Sequence, residues 1–177
     1  MASCRVSVFL PLNQILRPAP PVRELEAVGL PGLPDGHYAF QDQYCIDPEC
    51  DCRKTIIQVL HNHQVAVVLN YGWEQPEWYL NWLTDGGRNP AENDQELADG
   101  MSGVSIDTFS PDRVDCHKVL EQFNSMLDDA WIAEIKNNYR LVKEAVSRKI
   151  RQRRARDRRR PGTKGRRPPR GGGLFGL

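Results

Sequence analysis

The charges of this chain are segregated along its length. Residues 1–139 carry 9 basic and 21 acidic side chains, net −12, and residues 140–177 carry 15 basic and 2 acidic, net +13. The overall charge of +1 hides that division. A uniform mixed-charge globule is excluded, and the chain reads as an acidic folding part followed by a basic tail. Its 177 residues amount to one ordinary domain with tails. The apolar residues concentrate between positions 38 and 146, enough for one modest core. No apolar run approaches the ~18 residues that a membrane span needs. The beginning has one early Arg and a short apolar run at residues 6–10 broken by Ser7, which does not read as a secretory signal. The expectation is a cytoplasmic protein.

Pro11, Pro18, Pro20, Pro21, Pro31 and Pro34 forbid a long helix in residues 1–36. That stretch reads as a Pro-rich extension or strap, with an edge strand at 5–10 and one helical turn at 22–28. The domain itself is expected over residues 37–147. Residues 38–44 read as a strand with Tyr38, Phe40 and Tyr44 on one face. Residues 55–60 are β-branched and give a second strand. Residues 65–69 are continuously apolar, which predicts a central strand buried on both faces. A short turn at 61–64 and a loop at 45–53 connect them into an antiparallel meander.

Pro76 suits the first position of a short helix that places Trp78 and Trp82 on one face. Residues 84–103 read as an acidic loop, and 104–109 as a fourth strand. Ser110-Pro111-Asp112 reads as a helix start. Cys116, Val119, Leu120, Phe123 and Leu127 then form one apolar face. Asp128 and Asp129 end that helix and cap the next, whose face is Trp131, Ile135, Tyr139, Val142, Val146 and Ile150. Its basic end complements the helix dipole, and Pro161 stops it. Residues 161–177, rich in Gly, Pro and Arg, cannot bury enough surface to fold. The expected fold is a small α+β domain: an antiparallel sheet of three to four strands packed with two or three C-terminal helices, flanked by disordered tails.

Of five cysteines, Cys45, Cys50 and Cys52 fall within eight residues. An odd count without a secretory signal argues against a disulfide scaffold. In extended backbone Cys50 and Cys52 face one side, and a hairpin brings Cys45 opposite Cys52. Three converging thiolates suit zinc, so these residues are the candidate metal ligands. Arg53 and Lys54 favour thiolates. Asp47, Glu49 and Asp51 oppose that, and Asp47, Asp51 or a water can supply the fourth ligand. His61 and His63 lie roughly 25 Å away at ~3.3 Å per residue, and His37 shares that far end. Cys116 faces the apolar side of its helix. Reduced structural thiols, and a thiol enzyme or redox sensor at the same cysteines, are the competing readings.

Arg148, Lys149, Arg151, Arg153, Arg154, Arg156, Arg158, Arg159, Arg160, Lys164, Arg166, Arg167 and Arg170 make the tail, residues 148–177, a candidate nucleic-acid or polyanion binder. No aromatics interleave these cations, so base stacking is not indicated. Compositional drift, or folding back onto the acidic part, also accounts for such a run. Trp73, Trp78 and Trp82 either close the core or form a partner surface. His61-Asn62-His63 reads as a turn rather than a nuclease motif. No phosphate-binding loop, nucleophile elbow or zincin helix is present in the sequence.

Tyr44-Cys45-Ile46-Asp47-Pro48-Glu49-Cys50-Asp51-Cys52-Arg53, followed by Asn70-Tyr71-Gly72-Trp73-Glu74, resembles an uncharacterised bacterial family with a Y-C-x-D-P-x-C-D-C-R loop and a following N-Y-G-W-E. Asp107–Pro111 and the helix around Tyr139 are similar to later elements of that family. The resemblance spans roughly residues 33–146. It implies that Cys45, Cys50 and Cys52 act together and that the tail is peripheral, and it carries no activity over.

Overall fold

The computed structural model describes residues 8–111 and 113–159. Its centre is a hairpin. Strand β3 (Gly36–Cys45) pairs antiparallel with β4 (Lys54–His61), and β4 with β5 (Gln64–Gly72). The β4–β5 connection is as tight as the sequence suggests. Asn62 and His63 have φ of 47° and 66°, the two left-handed residues that a two-residue hairpin turn requires. Strand β6 (Gly103–Ile106) adds to the other side of β5.

The sheet is larger than the three to four strands expected. The Pro-rich extension supplies β1 (Phe9–Pro11) and β2 (Arg23–Ala27), both antiparallel to β3 on the edge that β4 leaves open. Residues 23–27 are therefore strand, not a helical turn. Their alternation, with Ala27 and half-buried Arg23 and Leu25 facing one side, has the strand period. The short helix α1 (Leu12–Ile15) between them buries Leu12 and Ile15. Among the described residues, the result is a six-stranded antiparallel sheet with five helices in an α+β arrangement.

Three further expectations are corrected. Residues 84–103 are not wholly loop, because α3 (Asp94–Met101) forms there. Its first turn is held by the Asp94 carboxylate, which accepts from Ala91 N–H at 2.6 Å and Arg88 at 2.8 Å, and it buries Ala98. Helix α4 (Cys116–Met126) starts later than Ser110. Asp115 is its cap, accepting from the N–H groups of His117 and Lys118. The Ser110 hydroxyl instead accepts from Val68 N–H at 2.9 Å, where β6 has ended and the β5 amide needs a partner. Finally, β5 lies between β4 and the edge strand β6 rather than at the centre of the sheet, and it is not buried on both faces. Val65 and Val68 are half-buried, because the packed helices cover one face of the sheet. On the other face, Gln41, Gln58 and Val68 stand in one cross-strand row and Gln43, Ile56 and Asn70 in the next.

The covered face is the core. Tyr38, Phe40 and Tyr44 of β3, Ile57 and Val59 of β4, and Val67 and Leu69 of β5 meet Val119 and Phe123 of α4 and the inner stripe of α5 (Asp129–Arg159). Phe40, Phe123 and Trp131 form an aromatic triangle with centroids 4.9–6.0 Å apart, joining sheet and both helices. Asp128 Oδ1 accepts from Trp131 N–H at 2.7 Å and starts α5, as its position before the apolar stripe suggests.

Helix α2 (Pro76–Leu83), with Pro76 in its first turn, lies over the end of β5. Gly72 is required there. A Cβ at that position would collide with the Met101 carbonyl and lie 2.5 Å from Tyr79 Oη. Gly72→Ala is therefore expected to cost about 1–3 kcal/mol through forced overpacking. Gly87→Ala, with nothing within 4 Å of the added carbon, should stay within about 0.5 kcal/mol. Urea unfolding followed by tryptophan fluorescence distinguishes the two.

Candidate metal centre

The β3–β4 loop is built by a turn the sequence spells out. Asp47-Pro48-Glu49-Cys50 closes with Cys50 N–H donating to Asp47 O at 3.3 Å. The Asp47 side chain accepts from Glu49 N–H at 3.0 Å, and Pro48 supplies the fixed φ of the turn. The chain doubles back so that Cys50 returns beneath Cys45. Arg53, directly after Cys52, has a φ of 43°, which bends the backbone sharply into β4.

This brings Cys45, Cys50 and Cys52 together, with all their sulfur atoms within 4.8 Å of one another. The residues are 0%, 3% and 1% exposed. Among the described residues this is the one group of His, Cys, Asp or Glu side chains whose ligand atoms converge in this way. The separation suits a single tetrahedral ion of the zinc type, whose sulfur ligands each lie ~2.3 Å from the metal. The geometry therefore fits a metal.

The cluster favours negative charge on sulfur. The Cys52 thiol is held far below the ordinary range. Hydrogen bonds from Cys45 and then Cys50 dominate over the opposing effect of burial, and the Lys143 ammonium and the Lys54 backbone N–H add to them. Lys143, not the Arg53 named from sequence, is thus the nearby cation that stabilises the thiolate. The Arg53 guanidinium is engaged elsewhere, with Asp51 at 3.2 Å, Glu74 at 3.1 Å and the face of Trp78 at 4.6 Å.

Two helices clamp the loop. From α5, Tyr139 donates its hydroxyl to Asp51 Oδ1 at 3.2 Å, and Lys143 donates to Asp47 O at 2.7 Å. From α2, Tyr79 donates to Arg53 O at 2.7 Å. Burial and the charges of Cys52 and Asp51 raise the Tyr139 hydroxyl well above its usual pKa, so it remains a donor. Phe9, Trp82 and Tyr139 pack directly against the thiols. Sequence reading missed Phe9, Tyr139 and Lys143 as parts of this site. The signal for the last two was their i, i+4 spacing on α5, which aims both at one place.

The other sequence candidates sit elsewhere. Cys116 donates to the carbonyls of Pro111 and Val114, at the start of α4. The carboxylates of Asp47 and Asp51 accept from protein donors, and neither belongs to the group of converging ligand atoms. His37, His61 and His63 gather at the opposite end of the hairpin. There His37 lies 3.3 Å from Glu24, and His61 lies 3.2 Å from Asp35 O. Trp73 packs edge-on against Tyr139, with centroids 5.2 Å apart, and Trp78 packs edge-on against Tyr79 at 5.1 Å. All three candidate tryptophans are half-buried. Asp42 was not singled out by sequence. It faces the core, accepts from Tyr44 Oη at 3.0 Å, and burial raises its carboxyl to about 6.

Of the basic tail, Arg148, Lys149, Arg151, Arg153, Arg154 and Arg156 are exposed along α5, and Arg158 and Arg159 lie on the same helix. Arg160, Lys164, Arg166, Arg167 and Arg170 lie outside the described residues, as do Cys4, Asp112 and Pro161. Among the described residues no helix is long and apolar enough to cross a membrane.

No family model matches the chain, and neither a curated protein nor a solved structure matches it.

Tyr139→Phe keeps the ring against Trp73 and removes the hydroxyl that holds the loop. The expected cost is about 1 kcal/mol in chemical unfolding, set by one hydrogen bond to a partly exposed carboxylate. Tyr139→Ala also empties the space beside the thiols and should cost about 3 kcal/mol or more.

Proposed function

We propose that this chain is a non-enzymatic module, a small α+β domain whose β3–β4 loop is fixed by a zinc ion on Cys45, Cys50 and Cys52, and which holds nucleic acid through the basic extension of α5. The observation that carries this reading is the continuity of α5. Its first half lines the core and clamps the thiol loop through Tyr139 and Lys143. Its second half continues as the same helix with six exposed cations between residues 148 and 156. Those nine residues rise about 13 Å along the helix axis, a length over which duplex DNA presents several phosphates. The cations point in all directions around the helix, which supports charge-driven tethering without sequence readout. Near-complete burial of the thiols supports a structural ion over a reactive nucleophile, because an attacking thiolate needs access.

The zinc half is tested by elemental analysis of untagged protein purified without chelator. About one zinc per chain is expected, and Cys52→Ser should lose both the ion and much of the stability. Metal-free protein of equal stability in both forms would reject it and return the loop to reduced thiols. The tethering half is tested by fluorescence anisotropy against RNA and duplex DNA of unrelated sequences. Affinity should be similar across sequences and fall with salt, with a slope of about −0.9 per contacted phosphate on duplex DNA. Replacing Arg151, Arg153, Arg154 and Arg156 with Gln should flatten that slope, and deleting residues 148–177 should abolish binding. Unchanged binding after the deletion would refute the tethering.

A further inference from the structure

Helix α2 carries Trp78 and Trp82 four residues apart, so both indoles stand on one face. Beside them, at the end of the helix, lies a cavity of about 250 Å³ lined by Trp78, Asn81, Trp82, Asp85 and Gly86. Asn81, Asp85 and Gly86 are exposed, so the cavity opens to solvent. Trp73 does not line it and packs on Tyr139 instead. The turn that ends α2 completes the lining. Gly86 N–H donates to Asn81 O at 3.0 Å, and Asp85 N–H to Trp82 O at 3.4 Å. Asp85 and Gly86 have φ of 54° and 71°, which folds the chain back over the last turn.

Both indoles are held by groups that do not line the cavity. Trp82 packs on Cys45, Cys50 and Cys52. Trp78 meets Tyr79 edge-on with centroids 5.1 Å apart, and the Arg53 guanidinium lies 4.6 Å from its ring centre. The walls are therefore fixed without being filled, as in a pre-formed ligand site. The volume falls below the roughly 300 Å³ at which pockets for drug-sized ligands begin, which selects a compact head group. The lining selects its charge. Indole faces attract cations through the ring quadrupole, and Trp does so best of the aromatic side chains. The Asp85 carboxylate adds a formal negative charge at the rim. The C-terminal end of α2 adds a smaller preference of the same sign. The Arg53 charge is offset by Asp51 at 3.2 Å and Glu74 at 3.1 Å. Each of these features disfavours an anion.

We propose that this cavity binds a small organic cation of the alkylated-ammonium class, seated against the Trp78 and Trp82 indoles with Asp85 as its counter-charge. The alkyl groups bury against the rings while the diffuse charge meets their faces. A metal ion is a poor match, because the lining offers it one carboxylate and one side-chain amide. The site is separate from the zinc and nucleic-acid readings and rests on neither. Binding there is reversible and forms no covalent bond.

The test titrates the full, isotope-labelled chain with choline at constant ionic strength, followed by NMR at the indole N–H signals of its four tryptophans. A matched titration uses the neutral isostere of choline, with a quaternary carbon in place of the nitrogen. Choline should shift the Trp78 and Trp82 signals saturably, leave those of Trp73 and Trp131 in place, and bind about tenfold more tightly than the isostere. Trp78→Leu keeps an apolar wall without a ring face and should weaken choline by about tenfold. Asp85→Asn suits the left-handed backbone at that position, so it remains readable if Trp78→Leu folds poorly. It should weaken choline by about threefold and leave the isostere unchanged. Equal affinity for choline and the isostere would make the cavity an apolar crevice and overturn the proposal. So would the lack of a saturable shift at Trp78 and Trp82, saturation at the other two tryptophans, or wild-type choline affinity in both variants.

Discussion

Three sulfur atoms within 4.8 Å of one another, cut off from water, form an electrostatically demanding arrangement. Removing a proton from any of them creates a buried negative charge, and leaving all three protonated forgoes the hydrogen bonds that one sulfur accepts from its neighbours. The chain resolves this with the Lys143 ammonium and the Lys54 amide on one side and an apolar wall of Phe9, Trp82 and Tyr139 on the others. The groups come from β1, β4, α2 and α5. The loop is therefore where the N-terminal edge of the sheet, the hairpin and the last helix are tied together. The aromatic triangle of Phe40, Phe123 and Trp131 does the same for the body of the core. One fastening is hydrophobic and insensitive to the state of the thiols, and the other depends on it.

Strands β3, β4 and β5 were legible because period-two alternation and β-branched runs coincided with clear turn residues at Asn62 and His63. The faces of α4 and α5 were legible because their apolar spacing has no competing reading. The Pro-rich extension misled because its prolines rightly forbid helix but say little about an edge strand. Three paired residues at β1 and five at β2 need only an open β3 edge, a tertiary fact invisible locally. Ser110 misled for a different reason. A Ser-Pro-acid triplet has the chemistry of a helix cap, but the unpaired Val68 amide captured its hydroxyl, and Asp115 capped α4. Residues 65–69 look buried on both faces from composition alone, but their outer neighbours are Gln41, Gln58 and Asn70, which set that face half-open.

At the thiol site, the spacing of Cys45, Cys50 and Cys52 together with Asp47-Pro48 predicted convergence, and the turn geometry explains why. The identity of the supporting cation was not legible. Arg53 and Lys54 are adjacent in sequence, but Arg53 turns away to Asp51, Glu74 and Trp78. Lys143 arrives from ninety-six residues downstream of Asp47. Sequence proximity is a poor guide to electrostatics at a loop, because a left-handed residue such as Arg53 reverses the direction in which its neighbours point.

The charge segregation gains a physical meaning from α5. An exposed helix of this composition has little reason to persist by itself, since closely spaced arginines repel one another at i, i+3 and i+4. It is nucleated by the Asp128 cap and by a stripe of core contacts running through Trp131, Ile135 and Val142, so the costly first turns are already formed when the basic stretch begins. Its C-terminal cations then meet the negative end of the helix dipole, which offsets part of their repulsion. Phosphates would offset the rest, because each neutralised charge removes a repulsive pair from the helix.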